Sequence, residues 1–297
     1  MYPRAFHYHR AASLKEASSM LSQLGEEARL LAGGQSLIPL MKLRFANPAH
    51  LVDLNFISGM SFIREGDEEV HFGAMTRHAE IEKSPVAAKI PIIHDCAAGI
   101  ADVQVRNRGT IGGSLAEADP SGDWAAVLMT LETQVRCVSA KDERTFGLPD
   151  FIKDAYTTAL AQDELVKEVV VKMPPKHSGG AYLAFKRSAP VYPTASAAVQ
   201  LTLAGDICKT IAIALGCVGL TAIKASDAEN ELRGKAITEK TISSAMEAAR
   251  AAADPQPDMR GSAEYKRTLA AALMKRALGV AIRRARGEQV EAGHTYA

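Results

Sequence analysis

Two short segments hold the residues best suited to chemistry. In the first, Ala32-Gly33-Gly34-Gln35-Ser36-Leu37, two glycines and a hydroxyl lie between a run with strand character and one with helical character. Successive glycines let backbone amides converge on an anion with no Cβ in the way. A helix opening just after adds the favourable end of its dipole. Such a loop can hold a pyrophosphate without lysine or arginine. The second segment, Thr110-Ile111-Gly112-Gly113-Ser114, repeats the logic and is followed by Asp119 and Asp123. A carboxylate beside a nucleotide commonly accepts from ribose hydroxyls. The bland alternative stays open: Gly-Gly pairs also make ordinary turns, and Asp119 or Asp123 can simply cap the following helix. Neither segment is a Rossmann G-x-G-x-x-G or a P-loop.

Other candidates are weaker. Asp53, at the end of a strand-like run, reads as a satisfied turn residue. The eight histidines do not group with acidic partners at metal spacing, and His7 and His9 read as surface residues of a flexible terminus. Glu117 has no support as a general base over a solvent-exposed carboxylate. Arg283, Arg284 and Arg286 suit the end of a helix, where cations meet the negative end of the dipole. Cys96, Cys137, Cys208 and Cys217 are irregularly spaced with no C-x-x-C pair, so they read as buried apolar thiols in a chain with no metal of its own.

The elements that must position these residues follow from local signals. Ser13 and Glu16 form a capping-box pattern before a helix over 14–24. Strands are expected at 28–31, 50–54, 70–74, 134–138 and 165–172, with helices at 37–44 and 124–132 and a helical stretch at 76–102 broken by Pro85 and Pro91. Residues 104–123 read as a polar, glycine-rich loop. Two prolines and two glycines in 174–180 mark a linker. Beyond it, strands at 195–203 and 210–218 flank a Gly205-Asp206 turn, and helices follow at 226–232, 239–252 and 262–284. The fold class is α+β in two parts: residues 1–177, residues 178–286, and a tail over 287–297.

Composition excludes several classes. With 35 basic and 34 acidic residues the net charge is +1, which argues against nucleic acid as a partner. No apolar run approaches the roughly 20 residues of a transmembrane segment. The start lacks a secretory signal, so a cytoplasmic location is expected.

Taken together, the two glycine segments are identified as those of the FAD-binding medium subunits of molybdenum hydroxylases, the family of aerobic carbon monoxide dehydrogenase, bacterial N-heteroaromatic hydroxylases and aldehyde oxidoreductases. Phe6-His7-Tyr8-His9-Arg10-Ala11, Leu51-Val52-Asp53-Leu54, Gly261 to Arg267 and Arg276-Ala277-Leu278 are similar to other stretches of that family. The resemblance implies a two-lobed FAD-binding domain of the vanillyl-alcohol oxidase/PCMH type, then a C-terminal carbon monoxide dehydrogenase flavoprotein-like α+β domain covering the flavin. It implies that Ala32 to Leu37 and Thr110 to Ser114 wrap the pyrophosphate from two sides, with Asp119 beside the second loop. Asp123 would face the ribose and adenosine, Leu165 would contact the flavin, Lys186 would approach the isoalloxazine and Tyr192 would lie over it. The sequence departs from the pattern at Gln35, often His, at Val191, often acidic, and at Asn107, where carbon monoxide dehydrogenase tends to have Tyr. Ser114 to Ala118 is closer to the heteroaromatic and aldehyde branches.

The role so implied is an electron-transfer subunit with no catalytic acid, base or nucleophile. A large molybdopterin subunit would hydroxylate the substrate, a small subunit would relay electrons through [2Fe–2S] clusters, and FAD here would pass them to quinone or oxygen. A stand-alone FAD oxidase or dehydrogenase, and a flavin-free binding module, are the competing readings. Gly113→Val is expected to abolish FAD retention, read as loss of the flavin absorbance band at about 450 nm in the purified chain.

Overall fold

A computed structural model describes residues 2–293, with residues 295 and 296 described by their backbone. Met1, at the head of the expected FAD-binding domain, and His294 and Ala297, in the expected tail, lie outside the described residues.

The chain opens with a small parallel sheet. β1 (His7–Arg10), α1 (Leu14–Leu24), β2 (Ala28–Leu31), α2 (Leu37–Leu43) and β3 (His50–Asp53) follow in order, and β3 lies between β1 and β2. Ser13 caps α1, its hydroxyl accepting from the Glu16 N–H. The Glu16 carboxylate accepts from the Ala12 N–H at 2.7 Å, one residue further back than a capping box requires. The terminus expected to be flexible is strand β1. His7 pairs in register with His50, and the His9 and His50 rings meet at 3.0 Å between nitrogens. The sequence concealed this because a parallel strand pairs only with chain far away.

The second lobe comprises β4 (Ile63–Glu65), β5 (Glu69–Gly73), α3 (His78–Glu82), α4 (Pro85–Lys89), α5 (Pro91–Gly99), α6 (Val103–Arg106), α7 (Ile111–Glu117), α8 (Asp123–Thr130), β6 (Thr133–Val138), β7 (Glu143–Gly147), α9 (Leu148–Phe151), β8 (Ile152–Asp154), β9 (Thr157–Thr158) and β10 (Leu165–Lys172). Five strands make an antiparallel sheet in the order β4-β5-β10-β6-β7. Pro85 and Pro91 each stand at a first helical position, where the missing N–H costs nothing. The expected loop 104–123 is instead largely helical. α7 carries both glycines, and Gly112 rests on the residue that follows β5: a Cβ there would lie 2.5 Å from the Ala74 Cβ. Thr110 caps α7, accepting from the Gly113 N–H at 3.1 Å.

The last part contains β11 (Ser178–Lys186), β12 (Ala195–Ala204), β13 (Ile207–Gly216), β14 (Ile223–Lys224), α10 (Ser226–Leu232), α11 (Glu239–Ala252), α12 (Ala263–Ala285) and β15 (Thr295–Tyr296), with sheet order β14-β13-β12-β11-β15. The glycines at the end of the expected linker belong to β11. Gly179 is pressed on α12, where a Cβ would lie 2.0 Å from the Ala281 carbonyl oxygen, so only glycine lets helix and sheet pack this closely.

This sheet is buried on both faces. Side chains alternate along a strand, so Ala181 and Leu183 join the core beneath α11 and α12, whereas Tyr182 and Ala184 join the core of the preceding part. That second face packs on α5 and α8. Lys186 shares its parity with Tyr182 and therefore points the same way.

Arg284 stands in the last turn of α12, as expected of a helix end, and its side chain, 8% exposed, reaches between the two parts. Its guanidinium donates to Asp95 at 2.6 and 3.0 Å and to the Gly180 carbonyl at 2.7 Å. Asp95 Oδ2 also accepts from the Tyr182 N–H at 3.1 Å. Removing one member of such a pair strands a buried charge. Arg284→Met should therefore lower the unfolding free energy by roughly 3 kcal/mol. Adding Asp95→Leu should recover part of that loss, as urea denaturation of the full chain would measure.

Candidate functional site

The first glycine segment is set by contact with the second. A Cβ on Gly33 would lie 2.2 Å from the Arg108 carbonyl oxygen and 2.8 Å from the Gly109 Cα. Gly34 has a φ of +73°, in the region that favours glycine. Ser36 makes no side-chain cap on α2, which leaves its hydroxyl free of that duty.

A polar network behind the loops fixes this approach. Asp53 accepts from the Tyr8 hydroxyl at 2.5 Å and from the Asn55 N–H at 2.8 Å. Burial alone would raise the Asp53 carboxyl, but the hydrogen bonds from Tyr8 and Asn55 prevail and hold it below the usual carboxylate range. The Asn55 amide donates to the Ala32 carbonyl at 2.9 Å and accepts from Arg77 at 2.5 Å. Arg77 also donates to the Arg108 carbonyl. Asp53 is thus a satisfied structural residue, and its partners tie one loop to the other.

A cleft of about 290 Å³ opens between the loops and the second part of the chain. Ala32, Gly33, Gly34, Gln35, Ser36, Leu37, Thr110, Gly113, Ser114, Asp119, Asp123, Lys186 and Tyr192 all line it. Three other expected residues do not. Ile111 is fully buried in the core. Gly112 and Leu165 line an adjoining cavity of about 600 Å³, which shares Leu30, Ala32, Leu37, Gly113 and Glu117 with the cleft. The loops therefore stand between two spaces, with Leu165 in one and Lys186, Tyr192 and Asp123 in the other.

Asp123 does not cap α8; Gly122 holds that position. The carboxylate is buried and accepts from the Tyr182 hydroxyl at 2.7 Å. Burial and then the Asp123 charge push the Tyr182 phenol well above its usual value, so it remains a donor. Lys186, 1% exposed, places its ammonium 3.7 Å from Asp123 and donates to the Gly99 carbonyl.

At the mouth, Asp119 faces the hydroxyls of Tyr192 and Tyr156, and burial followed by that carboxylate raises both phenols. Glu117 is half-buried in the cleft wall, not solvent-exposed, and burial followed by the Asp119 charge raises its carboxyl. Cys217 is half-buried, unlike the other three cysteines, with its Sγ 3.6 Å from the Ser121 carbonyl.

Sequence reasoning missed His78, Ile100, Ala101, Val105 and Gly109 in the cleft wall. Ala101 has a φ of +41°, a local strain with no sequence signal. His78 is buried, and its Nδ1 accepts from the Trp124 indole N–H at 3.1 Å. Burial, and then the charges of Arg77 and Arg106, depress its pKa from 6.5 to about 3. A histidine neutral in the fold but free to protonate when unfolded favours unfolding as pH falls. Its contribution is complete above 6.5 and is lost as pH drops towards 3. From pH 6.5 to about pH 5, unfolding should become easier by roughly 2 kcal/mol through this residue. Urea midpoints of wild type and His78→Gln at the two pH values check this; an equal loss in both proteins refutes it.

Comparison with known proteins gives the family. Residues 4–174 match the model for the FAD binding domain in molybdopterin dehydrogenase, and residues 180–281 match the CO dehydrogenase flavoprotein C-terminal domain. The carbon monoxide dehydrogenase medium chains of Hydrogenophaga pseudoflava and Afipia carboxidovorans are 40% and 41% identical, over 95% and 96% of this chain and 98% and 100% of theirs. The nicotine 6-hydroxylase medium subunit of Paenarthrobacter nicotinovorans is 35% identical over 92% of this chain and 96% of its own. Among solved structures, carbon monoxide dehydrogenase from Hydrogenophaga pseudoflava superposes with a TM-score of 0.93 at 41% identity, covering 96% of this chain and 99% of that one. Quinoline 2-oxidoreductase from Pseudomonas putida superposes at 0.90 with 35% identity, again over 96% and 99%. The chain belongs to the family of FAD-binding medium subunits of the molybdenum hydroxylases and is an oxidoreductase subunit.

Proposed function

We propose that this chain carries electrons within a cytoplasmic heterotrimer, receiving them from the [2Fe–2S] clusters of a small subunit and delivering them through FAD to quinone or oxygen. A large molybdopterin subunit would hydroxylate the substrate. The observation that carries this reading is the cleft itself: glycine loops from residues 1–177 and Lys186 and Tyr192 from residues 178–286 line one space. The lining supports a flavin nucleotide, because the Cβ-free approach of Gly33 to the Arg108 carbonyl sets both glycine segments along one space, with buried polar groups deeper in. FAD, when bound, supplies the capacity to take up two electrons and release them to an acceptor.

Each residue then has a task. Gly33 and Gly34 offer backbone amides and Ser36 and Ser114 offer hydroxyls to the diphosphate, while the Gly113 N–H stays with its Thr110 cap. Lys186 and Asp123 form a fixed charge pair near the isoalloxazine, where they set the field that tunes it, and Tyr192 covers the mouth. The arrangement favours moving Asp123 from the ribose end to the isoalloxazine end. It favours placing Leu165 with the adenosine, in the adjoining cavity. Of the described residues, no helix is long and apolar enough to cross a membrane.

The substrate pocket is assigned to another chain, so the chain alone should bind FAD but oxidise none of carbon monoxide, aldehydes, purines or N-heteroaromatic compounds. Activity should appear when the purified large and small subunits are added back. Turnover by the FAD-loaded chain alone, with a quinone or oxygen as acceptor, would instead support a self-contained oxidase or dehydrogenase.

A further inference from the structure

The His78 imidazole is 5% exposed and lines the cleft, yet among the described residues only one of its two nitrogens has a protein partner. The indole N–H of Trp124 is a donor only, so Nδ1 must offer it a lone pair. The ring's single proton then sits on Nε2. That N–H lies beside Gly109, where a Cβ would stand 2.7 Å from Nε2, and it meets no acceptor among the described residues. It is not among the sealed, unpartnered polar atoms either, so the open space of the cleft reaches it. A buried donor held in one tautomer and facing a ligand space marks a ligand contact, because leaving it unpaired would cost stability.

The position narrows the acceptor. Gly109 leads into the glycine segment assigned to the diphosphate, and Trp124 is next to Asp123, assigned to the isoalloxazine. His78 therefore stands between the two. From this geometry we infer that His78 is a neutral hydrogen-bond donor to the flavin nucleotide, its Nε2–H given to an oxygen of the ribityl–isoalloxazine half. The inference rests on reading the cleft as the FAD site. It separates His78 from the charged pair at Lys186 and Asp123. A second proton on this ring would meet Arg77 and Arg106 nearby and would break the indole bond. The contact thus supplies direction and fit without adding charge. The backbone is fixed as well, since the His78 N–H donates to the Gly109 carbonyl at 3.1 Å.

The test uses the full chain stripped of flavin and titrated with FAD by fluorescence quenching. His78→Phe keeps a planar ring and loses the donor, and it should bind FAD about 10-fold more weakly or worse. His78→Gln keeps an N–H donor and should restore most of the affinity. Long-range proton–nitrogen NMR of the wild type should report the Nε2–H tautomer, with that proton protected from exchange only after FAD is added. Unchanged FAD affinity in a His78→Phe chain of normal circular dichroism overturns the inference. So does a proton on Nδ1, or an Nε2–H that FAD leaves unprotected, which decides the matter even if the Phe variant fails to fold. A wild-type chain that takes up no FAD overturns the site assignment itself, and this inference with it.

Discussion

The cleft exists because two stretches of backbone more than seventy residues apart touch with no side chain between them. At Gly33 a Cβ would lie 2.2 Å from the Arg108 carbonyl oxygen, well inside any allowed contact. Once the loops are that close, both line one space, and the chain behind them must be held at a fixed distance. The Tyr8–Asp53–Asn55–Arg77 network does this, ending on the Ala32 and Arg108 carbonyls of the two loops. Side chains that make no part of the cleft thereby set its width.

The far wall depends on a different rule. A sheet with both faces buried needs a strand whose alternate residues suit two cores, and β11 meets that need. One parity, Ala181 and Leu183, seals the sheet against α12. The other, Tyr182, Ala184 and Lys186, faces α5 and α8. The same alternation that packs the second part onto the first therefore delivers a lysine and a tyrosine to Asp123. Packing and site construction are one event here, and the buried Asp95–Arg284 pair pins the orientation.

Electrostatics in the cleft is divided by depth. Asp123, Tyr182 and Lys186 are nearly dry and mutually satisfied, so their charges are fixed in place. Near the mouth, Glu117 and Asp119 repel one another and face the tyrosine hydroxyls. A neutral His78 lines the same cleft, held by the Trp124 indole. A redox group bound there would meet a preset field with little reorganisation, which is the chief service a protein offers such a cofactor.

Much of this was legible in the sequence wherever the signal was local. Ser13, Thr238 and Ser262 cap helices by bonds within a few residues. Gly205, at a φ of +60°, turns the β12–β13 hairpin, and Pro85 and Pro91 open helices. The paired glycine segments, by resemblance, pointed to the family that the family models match. Contacts spanning long stretches of chain could not be read this way. Asp123 meets Tyr182 from 59 residues away, and Arg284 meets Asp95 from 189. These pairings gave Asp123 a buried tyrosine donor, made the helix-end Arg284 a clasp and drew two linker glycines into a sheet. They also separated Leu165 from Lys186 and brought an unremarked histidine to the cleft wall. Local sequence determines where the backbone can bend and begin a helix, because those energies involve neighbouring residues. Which side chains share a dry space is decided only when distant segments exclude water together.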